Sequence, residues 1–284
     1  MRKKVIVLLL SLLIIVGCSS NETKGPKIKK FEIDNKTYVA KGKNERIQFI
    51  VLHYTAGNNE ASIKELISER ASSHYLITSG NNEKKIYNLV PDNERAWHAG
   101  VSSFRGRNNI NDTSIGIEIV SDGILREYWN YPTYNLYEHY LEYEELQIKK
   151  VVYLLDMLIK KYKIPARNVV AHSDVAPSRK KDPGAKFPWK MLYEKYNIGA
   201  WYEEEDKLYF MNQEEFEKKS VVEIKKELRD YGYKINETDI WDKESKDVVY
   251  AFQLHFNPQN LTAEMDLETY AILMALNKKY VRKN

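Results

Sequence analysis

Residues 168–189 read NVVAHSDVAPSRKKDPGAKFPW, an apolar run followed by a polar loop rich in proline and lysine. The apolar run predicts a buried strand whose last side chain, His172, emerges at the edge of a sheet. The prolines and the glycine then end regular structure, so the loop has to turn back and can bring Asp182 to the strand end. A catalytic zinc site needs three imidazole, thiolate or carboxylate ligands and an open position. The stretch therefore predicts half of a metal site.

Two further apolar runs end or centre on groups of the same kind. Residues 48–52 (QFIVL) stop at His53, and residues 114–120 (SIGIEIV) place Glu118 among apolar neighbours. Catalytic groups of open α/β sheets collect beyond the carboxyl ends of strands, which makes His53 the third candidate ligand. A carboxylate in an apolar strand is costly unless it is paired or functional, so Glu118 is a candidate general base.

Each of these residues also has a structural interpretation. A single histidine at a strand end is often only a hydrogen-bonding group, and a single glutamate in a strand usually faces solvent. Asp174, two residues after His172, competes with Asp182 as a ligand. Period-two alternation on a short strand favours a capping or loop-orienting role for Asp174, and Asp182 is the preferred ligand.

Five motifs occur in register over about 150 residues. They are VLHYTAG at 51–57, SSHYLI at 72–77, ERAWHAG at 94–100, NDTSIGIEIV at 111–120 and AHSDVAPSRKKDPGAKFPW at 171–189. In this combination the chain resembles the N-acetylmuramoyl-L-alanine amidase type 2 family, and within it the lipoprotein branch. The resemblance implies an α/β fold in which helices flank a mixed central sheet.

The resemblance also assigns roles to individual side chains. It implies one Zn²⁺ ion with His53, His172 and Asp182 as ligands, Glu118 as the catalytic carboxylate and Lys180 as a cation beside the developing oxyanion. Zinc lowers the pKa of bound water towards about 7 and polarises a carbonyl, and a positioned cation stabilises the charge that develops. Lys181 is adjacent to Lys180, and only one of the two is expected to reach the metal.

The motif at 94–100 implies a substrate-binding loop. By resemblance, Trp97, His98 and Ala99 border the substrate cleft, and the alternative is a loop that only packs around Trp97. His74 is expected to be a structural or hydrogen-bonding group and not a ligand. The aromatic segment 128–143 can stack on sugar rings or cover a core.

The implied reaction is hydrolysis of the amide that joins N-acetylmuramic acid to L-alanine, in peptidoglycan or its muropeptide fragments. The residues by themselves indicate only metal-assisted amide hydrolysis. Two other classes stay open, a non-catalytic peptidoglycan receptor and a zinc peptidase that cuts within the stem peptide. Receptors of this fold lose a ligand, so the retention of all three ligands and Glu118 favours an enzyme.

The first eighteen residues have the features of an export signal. Three basic residues precede an apolar run from Val5 to Val16, which is too short to span a bilayer. Ile-Val-Gly-Cys at 15–18 resembles a lipobox, which implies removal of residues 1–17 and lipidation of Cys18. Residues 18–45 then form the lipidated terminus and a tether. Ser19 after the cysteine favours the outer membrane, facing the periplasm.

Charge excludes one class of partner. Removal of residues 1–17 takes away Arg2, Lys3 and Lys4, which leaves 41 basic residues against 40 acidic ones. With no basic stripe in the remaining chain, nucleic acid is not expected as a partner. Cys18 is the only cysteine, so the core forms without an internal disulfide.

The sequence divides into an amidase domain at 46–200 and a helical domain at 207–284, separated by a polar boundary at 203–206. Periodicity predicts helices over 221–228, 246–255 and 267–278 in the second domain, and over 141–162 in the first. LRDYGY at 228–233 and AFQ at 251–253 resemble the peptidoglycan-binding type 1 module. The glycine expected after AFQ is missing, so the module either binds glycan or is a structural appendage of the amidase domain.

Overall fold

The computed structural model describes residue 30, residues 32–80 and residues 84–282. Its strands all lie before residue 172, and the described chain from His172 onward forms helices and their connections. The strands are β1 (Phe49–Tyr54), β2 (Tyr75–Ile77), β3 (Tyr87–Asn88), β4 (Ser103–Phe104), β5 (Arg107–Asn108), β6 (Ser114–Ile119) and β7 (Val169–Ala171). The helices are α1 (Asn59–Leu66), α2 (Glu145–Tyr162), α3 (His172–Val175), α4 (Trp189–Tyr196), α5 (Glu204–Phe210), α6 (Gln213–Glu217), α7 (Val221–Tyr231), α8 (Lys243–Phe256) and α9 (Leu267–Tyr280).

A mixed five-stranded sheet, in the order β3-β2-β6-β1-β7, forms the centre of the first module. Strand β1 runs parallel to β6 and β7, β2 runs parallel to β6, and only β3 is antiparallel to its neighbour. The apolar runs form β1 and β6 because they are buried on both faces, as parallel strands require. The predicted α/β class and its flanked central sheet are confirmed.

The register of the parallel strands sets the positions of the candidate residues. His53 lies opposite Glu118, and Leu52 lies opposite Ala171, the residue before His172. The carboxyl ends of β1, β6 and β7 therefore meet at one edge of the sheet. Helix α2 covers one face with Val151, Leu154, Leu155 and Leu158. It ends at Tyr162 with Lys163 as its C-cap, shortly before Pro165.

Two segments that the sequence singled out have a definite local structure. The acidic residues 203–206, expected as a polar boundary, cap and open α5, because carboxylates are favourable at a helix N-terminus. The aromatic segment 128–143 forms short 3₁₀ turns. Tyr140 and Tyr250 pack there with Leu254 in a buried cluster, so the core-covering interpretation holds for this part of the segment.

The helices α7, α8 and α9 pack on the first module. Phe104 of β4 contacts Tyr231 and Tyr233 edge-on, with ring centroids 6.4 and 5.4 Å apart. Gly232, at φ 144°, allows this close approach, because an added Cβ would lie 2.6 Å from Cγ of Arg105. Residues 44–284 belong to one compact unit, so the helical module shares a core with the sheet.

Residues 32–43 contain no helix or strand. The carboxylate of Asp34 accepts hydrogen bonds there from the backbone amides of Lys36 and Thr37. Within the described ranges, no helix combines the length and the apolar character that crossing a bilayer requires. The predicted signal peptide at 1–17 and the lipidation site Cys18 lie outside the described residues.

Candidate metal centre

Three buried side chains from distant parts of the chain converge at the edge of the sheet. Nδ1 of His53 lies 2.8 Å from Nδ1 of His172, and Oδ2 of Asp182 lies 3.0 and 2.9 Å from these two nitrogens. The three residues are 1, 2 and 5% exposed. Two buried imidazole nitrogens and a carboxylate oxygen that face one another at about 3 Å form a set of donor atoms that suits a cation. The donor set is that of zinc.

The hydrogen bond on the far side of His172 fixes its tautomer. Nε2 of His172 lies 3.1 Å from the carbonyl oxygen of Ala99, so Nε2 carries the proton and donates it. The lone pair of Nδ1 then points towards Asp182 and His53. This is the usual support of a metal-bound histidine by a backbone carbonyl.

A chain of three hydrogen bonds fixes the tautomer of His53. Nε2 of His53 lies 3.0 Å from Nδ1 of His98, and Nε2 of His98 lies 3.1 Å from Oγ of Ser114. The Ser114 hydroxyl in turn donates to the carbonyl oxygen of Ile110 at 2.7 Å. If each nitrogen donates towards Ser114, Nδ1 of His53 keeps its lone pair free for a metal. This directional chain gives His98 a supporting position that the sequence did not indicate.

The surroundings hold both histidines neutral. Burial, followed by the charge of His172, lowers the pKa of His53 to about 4, and burial lowers the pKa of His98 well below its usual value. Gly116 of β6 makes room for the His98 ring, because an added Cβ would lie 2.4 Å from its Cγ. The glycine in SIGIEIV is therefore explained by the site.

Asp182 stays charged within this cluster. Burial raises the pKa of Asp182, but the closeness of His172 and His53 outweighs burial and lowers it overall. The backbone carbonyl of Asp182 accepts a hydrogen bond from the amide of Ser173 at 3.0 Å. The loop that carries Asp182 is thus tied to the helix α3 that carries His172.

Glu118 lies beside the three clustered side chains but is not one of them. Its Oε1 is 3.9 Å from Nδ1 of His53, and its Oε2 is buried without a hydrogen-bond partner among the described residues. Burial, followed by the charge of Asp182, raises the pKa of Glu118 well above its usual value, while Lys180 lowers it. A carboxylate with a raised pKa and a free oxygen is suited to accept and return a proton.

The site opens into a cavity of about 610 Å³. Lys180, Lys181, Arg179 and Trp129 line it together with the ligands and Glu118. No hydrogen bond or ion pair to another described residue engages the ammonium group of Lys180. Both lysines line the cavity, and the expectation that only one of them reaches the metal stays a prediction. The part that each plays there stays a prediction.

The loop at 97–99 has one exposed and two buried residues. Trp97 is 52% exposed, and His98 is both a cavity residue and the support of His53. The carbonyl of Ala99 holds His172, and Asn111 holds the loop by accepting from the amides of His98 and Ala99 at 3.2 and 2.8 Å. Apart from its place in the motif at 111–120, no feature of the sequence indicated a role for Asn111. Contact of Trp97, His98 and Ala99 with substrate stays a prediction.

Asp174, the competing ligand candidate, lies outside the metal cluster. Its Oδ2 accepts from the amide of Ala171 at 2.8 Å, which is the capping role that the sequence favoured. It also contacts Tyr233 and His255 of the helical module, over sequence separations of 59 and 81 residues. His74 is likewise no ligand: its Nδ1 accepts from the amide of Gly116 at 3.0 Å.

Comparison with known proteins gives consistent results. Residues 43–185 match the N-acetylmuramoyl-L-alanine amidase family, and residues 217–273 match a peptidoglycan binding domain family. The chain is 36% identical to N-acetylmuramoyl-L-alanine amidase AmiD of Escherichia coli (strain K12) over 94% of its length and 95% of that protein. A crystal structure of AmpDh3 from Pseudomonas aeruginosa in complex with anhydromuramic pentapeptide superposes with a TM-score of 0.80, at 38% identity over 89% of this chain and 100% of that one. The complex of E. coli AmiD with the substrate anhydro-N-acetylmuramic acid-L-Ala-D-gamma-Glu-L-Lys gives 0.75, at 35% identity over 87% and 95%.

Proposed function

This chain belongs to the N-acetylmuramoyl-L-alanine amidase family, and we propose that it uses one zinc ion, Glu118 and Lys180 to cut its substrate. Its class is that of its relatives: it is an N-acetylmuramoyl-L-alanine amidase, which hydrolyses the amide between N-acetylmuramic acid and L-alanine. The proposal concerns the metal, the catalytic groups, the form of the substrate and the location of the protein.

One observation supports the metal and the base together. The parallel register sets His53 opposite Glu118, and the next strand ends at His172, so two ligands and the base share one edge. Asp182 completes a set of three ligand atoms about 3 Å apart. The two ring nitrogens and the carboxylate suit zinc better than magnesium or calcium, which prefer oxygen ligands.

The side chains of this chain then have distinct tasks in hydrolysis. When bound, a zinc ion supplies a Lewis acid that polarises the amide carbonyl and lowers the pKa of water to about 7. Glu118 takes a proton from the water that attacks the carbonyl carbon. Lys180 faces the cavity, where its charge stabilises the negative charge on the carbonyl oxygen more in the transition state than in the ground state. Glu118 then gives the proton to the amine of L-alanine as the carbon–nitrogen bond breaks.

We extend the proposal to muropeptides as well as peptidoglycan as substrates. The similar AmiD and AmpDh3 structures hold anhydromuramyl peptides. The cavity at the site has the size of a small-ligand pocket, and Arg179, Lys180 and Lys181 give it cations that suit an acidic stem peptide. Residues 217–273, by their match to a wall-binding family, are proposed to contact the glycan.

The location is proposed from the sequence of the first eighteen residues. Cleavage before Cys18 and lipidation of its thiol would anchor the protein to the outer membrane on the periplasmic side. Fractionation of cells that produce the wild type and Cys18→Ser tests this assignment. The wild type should remain with the outer membrane in high salt, and Cys18→Ser should be released. Equal fractionation of both proteins would contradict the lipid anchor.

Product analysis together with metal analysis tests the catalytic proposal. Purified protein is incubated with a muropeptide, and the products are separated and weighed by mass spectrometry. An amidase yields free stem peptide and free N-acetylmuramic acid or its anhydro form, a stem-peptide peptidase yields a shortened peptide, and a receptor leaves the substrate intact. Zinc analysis should give one ion per chain. A chain that is fully active after chelator treatment, or that shortens the peptide, would contradict the proposal.

A further inference from the structure

Asp174 is a buried carboxylate that the proposed reaction does not use. It is 1% exposed and accepts three hydrogen bonds. Oδ2 accepts from the amide of Ala171 at 2.8 Å and from Nδ1 of His255 at 2.7 Å, and Oδ1 accepts from the hydroxyl of Tyr233 at 2.5 Å. A buried charge is tolerated only when it is paired and hydrogen-bonded. Two of its three donors belong to the helical module, and we call Asp174, Tyr233 and His255 the Asp174 clamp.

The clamp acts on the element that carries a metal ligand. Helix α3 is a single turn of four residues, and a turn of that length is not stable without outside contacts. Its first residue is His172, and Asp174 fixes the amide of Ala171 just before it. The amide of Ser173 holds the backbone of Asp182. The placement of α3 therefore sets two of the three ligands.

The two donors from the helical module are themselves held rigidly. The His255 ring stacks between Trp189, at a centroid distance of 3.9 Å, and Phe256, at 3.8 Å. Its Nε2 is buried without a partner among the described residues, so its proton is best placed on Nδ1, which donates to Asp174. The Tyr233 ring packs against Phe104 and Phe252. The donors can thus transmit the position of the helical module to α3.

We infer that the helical module is part of the metal centre: through Tyr233 and His255 it holds Asp174, and thereby positions His172 and Asp182 for the cation. Tyr233 and His255 are positioning residues that touch neither metal nor substrate. The inference rests on the proposed zinc site. It gives the module a task inside the amidase domain, whether or not the module also binds the wall.

The Tyr233→Phe variant tests the inference against a matched control. Tyr250→Phe also removes one buried tyrosine hydroxyl between the modules, where Tyr250 contacts Tyr140 at 2.7 Å and the carbonyl of Asn135 at 2.8 Å. That contact does not involve Asp174. Both variants should lose similar thermal stability. If Tyr233 had only a structural role, the two variants would therefore also have the same zinc affinity.

Zinc affinity is measured on the full chain by competition with a chromophoric chelator, at a temperature where circular dichroism shows each variant folded. Tyr233→Phe should bind zinc about tenfold more weakly, which is the smaller end of the loss seen when groups that support metal ligands are removed. Tyr250→Phe should stay within about twofold of wild type. The visible spectrum of the cobalt-substituted protein should change in Tyr233→Phe and not in Tyr250→Phe.

Two variants of His255 complete the experiment. His255→Phe keeps a stacked ring but removes the donor, and it should weaken zinc binding as Tyr233→Phe does. His255→Asn places an amide donor near the position of Nδ1 and should recover part of the affinity. Equal zinc affinity and equal cobalt spectra for Tyr233→Phe and Tyr250→Phe would overturn the inference while leaving the zinc site intact. A wild type that binds no zinc would instead refute the proposed function, and the inference with it.

Discussion

The two halves of the metal centre are held by different kinds of structure. His53 and Glu118 stand on adjacent central strands of a buried sheet, where backbone pairing fixes their distance. His172 lies on a one-turn helix and Asp182 lies on a loop. Both segments come after the last strand, so strand pairing does not hold them. We call His53 and Glu118 the strand half and His172 and Asp182 the loop half. The strand half needs only the core of its own module, whereas the loop half is supported by side chains about 60 to 80 residues further along the chain. Strand pairing therefore positions one half of the site, and packing of the helical module positions the other.

The largest expected effect comes from removing the loop-half carboxylate. Asp182→Ala leaves two histidines, so zinc affinity should fall by more than about 100-fold, beyond the usual effect of an outer-shell partner, and muropeptide cleavage should fall to background. Inductively coupled plasma mass spectrometry and the product assay measure both quantities. Asp112→Ala, which removes an exposed carboxylate paired with Arg95, is the control and should keep zinc and activity. A full zinc complement in Asp182→Ala would show that the ligand assignment is wrong.

On the strand half, Glu118→Gln separates catalysis from metal binding. The amide cannot accept the proton, so kcat should fall about 10²–10⁴-fold, the usual contribution of a general base. Zinc content should stay at one per chain, because Glu118 is not among the three clustered ligands. Glu138→Gln on the surface provides the matched control. Loss of zinc in Glu118→Gln would mean that the carboxylate is a fourth ligand and not the base.

The next comparison is between two neighbouring lysines of the loop half. Lys180→Ala should lower kcat about 100-fold, as expected for loss of a group that stabilises an oxyanion, and Lys181→Ala should lower it less than about tenfold. The pH profile adds a second criterion. Lys180 lowers the pKa of Glu118, and a general base works only when deprotonated, so its removal should move the acid limb of kcat/KM to higher pH. Identical profiles for both variants would contradict the assignment of Lys180.

How far the sequence predicts the site follows the same division. His53, Glu118 and His172 could be predicted because each lies in or ends a short apolar run, and such runs indicate parallel strands whose ends meet. Asp182 was predictable from turn residues and from resemblance to a family. The capping role of Asp174 was also indicated by its spacing from His172. Apart from the family resemblance, these are local signals carried by short stretches of sequence.

The remainder depends on contacts that no local pattern encodes. Tyr233 and His255 belong to motifs of the helical module, and nothing in their spacing shows that they meet Asp174. The support of His53 by His98 arises because Gly116 leaves space on a neighbouring strand. Tyr140 lies in the aromatic segment 128–143, and nothing in that segment shows that it contacts Tyr250 across the module boundary. Long-range docking decides all of these positions.

Substitution of one glycine in each half of the site should have a smaller effect. Gly116→Ala on the strand half would place a Cβ 2.4 Å from the His98 ring and should lower stability by about 1–3 kcal/mol, together with zinc affinity. Gly184→Ala on the loop half combines a φ of 86° with a contact at 2.6 Å to Tyr140 and should have a similar cost. Gly42→Ala meets nothing within 4 Å and serves as the control in thermal unfolding. An unchanged melting temperature for Gly116→Ala would mean that the His98 ring moves aside freely.

The smallest effect tests whether the hydrogen-bond chain of the strand half matters to the metal. Ser114→Ala removes the acceptor of His98 and should lower stability by about 1 kcal/mol, the usual net value of one hydrogen bond, and zinc affinity a few-fold. Ser102→Ala is matched, since its hydroxyl is also bound to the 110 region, accepting from the amide of Ile110 at 3.1 Å, but lies outside the chain of histidines. Chemical denaturation and chelator competition measure both variants. If both lose the same stability and only Ser114→Ala loses zinc affinity, the tautomer of His53 is set through His98. If neither loses zinc affinity, strand pairing alone is enough to hold this half, and the dependence on distant side chains is confined to the loop half.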